Sequence, residues 1–152
     1  MAAGKWKMYE AAKLALANGE IDFDNHSFKI NLYLSTSNCN TLSGHDQLSD
    51  LTNQVATANG YTQDTKAITI TTANSSGTIT IDETTNPVWT ASGGSITARF
   101  AVIYDDTHVD DIPVYVCLLD TASADVTATD GNTFTINQHA SGLVTLSGAA
   151  VD

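Results

Sequence analysis

The sequence predicts a mainly β protein: a single-domain β-sandwich or jelly-roll-like barrel of about eight strands, with one short N-terminal helix. Three observations carry that reading. Residues 95–104 (SITARFAVIY) and 113–119 (PVYVCLL) are apolar runs rich in β-branched and aromatic residues. They are bounded by Gly93-Gly94 and by an acidic loop, the pattern of neighbouring antiparallel strands. Charged residues make up only 15% of the chain, against about 25% in an ordinary domain. Threonine, serine and asparagine take their place and suit exposed sheet faces and turns. Turn signals then recur at regular spacing along the chain, as sandwiches and barrels require.

The elements follow in order. Residues 5–17 (KWKMYEAAKLALA) are rich in helix-forming types, and Asn18-Gly19 supplies a stop. Trp6, Tyr9 and Leu16 form one apolar stripe, with Met8, Ala12 and Ala15 beside it. A helix this short is marginal alone and must pack on something. Phe28, Ile30, Leu32 and Leu34 alternate with Lys29, Asn31 and Tyr33, which predicts a half-buried strand. Residues 46–54 suit a short helical turn. Residues 66–72 and 77–81 predict a hairpin turning through Asn74-Ser75-Ser76-Gly77, with Ile68, Ile70, Ile79 and Ile81 facing inward. Val88-Trp89 supplies a second core anchor. In residues 95–104 both faces become apolar, so that strand is expected to be covered on both sides. Residues 133–136 and 143–146 are read as short strands joined through residues 137–142. Residues 1–19 form the helical unit, packed on or extending from a body of residues 20–152, one domain overall.

Charge narrows the function. With 17 acidic against 6 basic residues, the net charge is −11. Such a chain repels phosphate backbones, which argues against direct nucleic-acid binding and favours docking onto a basic surface. No apolar run approaches the roughly 20 residues of a membrane helix. Glu10 and Asn18 interrupt what would be the apolar core of a signal peptide. Cys39 and Cys117 are expected to be unpaired thiols in a reducing cytoplasm.

The order of segments resembles a widespread family of small tailed-bacteriophage virion structural proteins. The matching pieces are KLALANGEIDFDNHSFKINLYLSTS, HDQLSDLTNQVATANGYT, NPVWTASGGSITARFAVIYDDT, IPVYVCLLD and TDGNTFTINQHASGLVTLS. They extend over most of residues 5–147. The chain departs from the family at QDTKAI, where a Gly-rich hairpin entry is usual. The resemblance implies a non-enzymatic virion component that decorates or cements the head. Its partners are then the major capsid protein or other virion proteins and a second or third copy of itself, in particles assembled in the host cytoplasm. A tail or neck component and a carbohydrate-binding β-sandwich for host attachment are the alternatives.

Several residues invite chemical readings. Asp105, Asp106, Asp110 and Asp111 in DDTHVDD are candidate Ca²⁺ ligands. Their spacing is not that of an EF-hand loop, and the plain reading is a solvated loop. His26, His45, His108 and His139 lack the HxxH or HxxxH spacing of a zinc site. Ser43-Gly44-His45-Asp46 is not a triad, whose members come from separate segments, and Ser95 lacks the G-x-S-x-G elbow. Gly93 and Gly94 precede a strand, so they form no phosphate loop. No catalytic residue and no cofactor are expected. Arg99, the lone arginine, suits either an internal ion pair or a subunit contact. Lys5, Trp6, Lys7, Tyr9 and Lys13 make the N-terminus basic and aromatic. It either caps the body or reaches into a neighbour.

Overall fold

The computed structural model describes residues 4–137 and 142–147. The fold is mainly β, with twelve strands, all antiparallel where paired, and one α-helix among the described residues. The central sheet runs in the order β1 (Lys7–Met8), β9 (Pro113–Leu118), β8 (Phe100–Asp105), β2 (Phe28–Tyr33), β3 (Ala67–Ile68). The two apolar runs are neighbours, as expected: β8 pairs with β9 from Phe100↔Leu118 to Tyr104↔Pro113, with a bulge after Ile103. Every residue of β8 is buried. Register places Ile30, Leu32, Ala101, Ile103, Tyr115 and Cys117 on one face, and Tyr33, Phe100, Val102 and Val116 on the other. Both faces are covered, and β2 too is buried on both sides rather than half-buried.

Four expectations need correction, each for a physical reason. The helix, α1, spans Glu10–Asn18 and does not begin at Lys5. Lys7 and Met8 instead pair with Val116 and Tyr115, while Gly4 N–H donates to Leu118 O (2.7 Å) and Tyr9 N–H to Val114 O (3.0 Å). Closing the edge of the central sheet overrides the local preference for helix. The C-terminal stop is as expected: Gly19 adopts φ 76°. Its N–H donates to Leu16 O and that of Glu20 to Ala15 O, a Schellman end.

The run 95–104 is not one strand. It changes sheet at Arg99: β7 (Ile96–Ala98) pairs with β10 (Val126–Ala128), a strand sequence reading did not anticipate. Arg99 still donates its N–H to Tyr33 O and accepts from Leu119 N–H, so its backbone stays in the central ladder.

The run 66–72 also divides. Its start is β3, on β2, and its end opens β4 (Ile70–Ser75), which forms a hairpin with β5 (Thr78–Glu83). The turn is Ser76-Gly77 alone, with φ 51° and 82°, a two-residue turn whose twist matches the strands. Ile68, Ile70 and Ile81 are buried, but Ile79 is exposed because the far end of the hairpin extends beyond the body.

Finally, the last two strands belong to different sheets. β11 (Thr133–Thr135) pairs with β6 (Val88–Thr90), opposing Phe134 to Trp89. β12 (Val144–Ser147) pairs with β5. Most of the connection between them lies outside the described residues. Trp89 is the expected anchor, packed at 5.8 Å from Tyr61 and 6.2 Å from Phe134 between ring centroids, with Lys66 Nζ over its face.

Candidate functional site

The residues singled out in the acidic loop turn to separate partners. Asp105 is fully buried. Its Oδ2 meets His26 Nδ1 at 2.6 Å, and its Oδ1 accepts the N–H groups of Thr107 (2.9 Å) and His108 (3.3 Å). Asp106 takes Lys29 Nζ at 2.7 Å. Asp110 N–H donates to His108 Nδ1 at 3.2 Å. Burial, with Asp106 adding repulsion, holds the Asp111 carboxyl above its usual range. Asp105 and Asp106 thus tie the loop to His26, before β2, and to Lys29 of β2. Among the described residues no group of three or more His, Cys, Asp or Glu side chains is placed to hold a metal ion.

The basic N-terminus divides as well. Trp6 and Tyr9 are buried in this chain's own core, and Tyr9 Oη donates to Cys39 O at 2.5 Å. Neither ring is free to enter a neighbour, which corrects that expectation; the cap reading describes them. Lys5, Lys7 and Lys13 remain exposed. Arg99 Nε donates to Asp125 Oδ1 at 2.8 Å, an ion pair within the chain, which is one of the two readings given to this arginine. The two cysteines are buried free thiols, and burial raises them to about 11 (Cys39) and about 12 (Cys117). At such values neither is a nucleophile at neutral pH. His45 is buried against the edge of Tyr9, at 6.1 Å between centroids. His139 lies outside the described residues.

Two outward apolar features were not singled out as exposed in the sequence. Leu14 on α1 is 64% exposed and Val109, at the tip of the acidic loop, 91%. Leu14 lines an open groove of about 250 Å³ together with His108 and Asp110, the two residues that flank Val109 in the chain. Ala11, Leu14, Ala15 and Ile112 give it an apolar floor, and Glu20, Asp46 and Asp110 an acidic rim. The helical wheel could have revealed Leu14, which falls opposite the buried pair Ala12 and Ala15. The juxtaposition with the loop could not be read, because it is made by the fold. A second outward feature is the far half of the β12–β5–β4 sheet. There Leu146 lies directly across from Ile79, and the two are 42% and 41% exposed.

No family model matches the chain, and searches of curated proteins and of solved structures find no match.

Proposed function

We propose that this chain is a non-enzymatic structural protein of a tailed-bacteriophage virion, a decoration or cement protein that stabilises the head lattice through protein–protein contacts. The observation that carries the reading is the groove between α1 and the acidic loop. An exposed Leu14 over a floor of Ala11, Ala15 and Ile112, with a charged rim of Glu20, Asp46 and Asp110 and the exposed Val109 next to Asp110 in the chain, has the composition of a docking interface. The net charge of −11 selects a basic partner surface and speeds encounter with it. The resemblance of its segment order to small virion proteins, read from the sequence, points the same way. The mechanism is mass action: a protein that binds the assembled lattice and not its free subunits stabilises the lattice.

The test is binding of purified protein to particles from which it has been stripped. Wild-type protein is expected to rebind, and Leu14→Glu with Val109→Glu to weaken rebinding at least tenfold while leaving the thermal midpoint unchanged. Rebinding of the double variant at wild-type strength would remove the groove from the account. No binding of either form would remove the account itself.

A further inference from the structure

The hairpin that projects from the body carries a second surface, and it is one that natural sheets rarely leave bare. Among the described residues β4 pairs with β5 and with no other strand, and Thr71, Thr72, Ala73, Asn74 and Ser75 are all exposed. The phase of its hydrogen bonds is fixed by the turn. In a two-residue hairpin the flanking pair, here Ser75 and Thr78, exchanges both backbone bonds, and every second pair does so after it. The bond from Thr84 N–H to Thr69 O (3.0 Å) confirms that phase at the other end. Thr72 and Asn74 therefore direct their N–H and C=O groups away from β5, to an edge with no strand partner among the described residues.

Exposed edges are usually blunted by a lysine, a proline or a bulge. β4 (ITTANS) has neither residue and pairs in regular register over its whole length. The turn half of its sheet carries little charge, although Asp82 and Glu83 end β5 and Thr72 Oγ1 donates to Asp24 Oδ1 at 3.0 Å. Residues 65–81 contain a single charged side chain, Lys66, and β12 (VTLS) contains none. Two copies each carrying −11 repel one another over most approaches, and less over the uncharged stretch of residues 67–81 than over the acidic loop.

We propose that the outer edge of β4 is a self-association surface, at which two copies of this chain join their β12–β5–β4 sheets antiparallel across a two-fold axis. Such an axis makes the contact self-complementary, with the outward backbone groups of Thr72 and Asn74 satisfied by those of the second copy. It also keeps both Ile79–Leu146 pairs on one face of the joined sheet. The inference deepens the self-association in the proposed function and shares its premise that the molecule works by protein contact. Its test needs no particle, so the two can fail separately.

Sedimentation equilibrium of the full chain, from about 10 µM to about 1 mM, is expected to show a monomer–dimer equilibrium. Asn74→Pro removes one outward N–H and none that faces β5. It should raise the dimer dissociation constant at least tenfold with the thermal midpoint unchanged. Asn74→Lys adds the missing charge to the edge and should do the same, and it decides the matter if the proline variant does not fold. A wild-type chain that stays monomeric at about 1 mM, or forms a trimer, would overturn the proposal. So would a dimer that both variants leave intact.

Discussion

His26 Nδ1 and Asp105 Oδ2 stand 2.6 Å apart, joining the turn before β2 to the end of β8 across 79 residues of sequence. Asp105 is inaccessible to solvent and accepts two backbone N–H groups besides, so removing its carboxylate strands three donors at once. Unpaired buried donors cost about 1–3 kcal/mol each, partly relieved by water. Asp105→Ala should therefore destabilise the fold by about 3 kcal/mol, and Asp105→Asn by less, because its amide oxygen still accepts. Urea denaturation of the two variants checks the order.

Gly60 and Gly77 both have positive φ, 86° and 82°, but only one is enclosed. A Cβ at Gly60 would fall 2.0 Å from the carbonyl oxygen of Thr90, while one at Gly77 would meet nothing within 4 Å. Gly77→Ala should then cost about 1 kcal/mol, the conformational term alone. Gly60→Ala adds a backbone collision to that term and should cost several times as much. A comparison of thermal midpoints separates them.

Two buried tyrosines make opposite demands on their hydroxyls. Tyr9 Oη donates to Cys39 O, whereas Tyr115 Oη has no protein partner among the described residues. Tyr9→Phe should cost about 1–2 kcal/mol. Tyr115→Phe, which keeps the stacking of its ring on Phe23 at 6.2 Å between centroids, should fall within about 0.5 kcal/mol of wild type.

Burial raises the Glu83 carboxyl above its ordinary value of 4.5. The folded state then keeps its proton at pH values where the unfolded chain has released it, so stability from this group is greatest below about 4.5 and declines as pH rises through the raised value. Glu83→Gln removes that decline. Relative to wild type the variant should gain stability at pH 7 and show no such gain at pH 4. Denaturation curves at the two pH values provide the measurement.

The sequence revealed those parts of the fold whose local pattern and tertiary role agree. The presence of β2, though not its burial on both sides, the paired apolar runs of β8 and β9, the anchoring Trp89 and the Gly19 helix stop could be read directly. The parts that could not be read are those where an edge had to be closed or a strand had to change sheets. Nothing local in Lys7-Met8 signals a strand, since its reason is the free edge of β9. Arg99 looked like the middle of one strand and is the point where the chain leaves one sheet for another. Trp6 and Tyr9 gave the right chemistry for an interface, yet the same apolar area serves the core. Val109 and Ile79 are exposed only because of where the loop and the hairpin end up, whereas the helical wheel alone sets Leu14 opposite the buried Ala12 and Ala15.

The most direct test of the proposed virion role is quantitative mass spectrometry of washed tailed-phage particles assembled in cells that express this chain. The account predicts the chain in every particle, at a copy number that is a multiple of the particle's symmetry. Particles free of it, from cells in which the chain is abundant, would contradict the account.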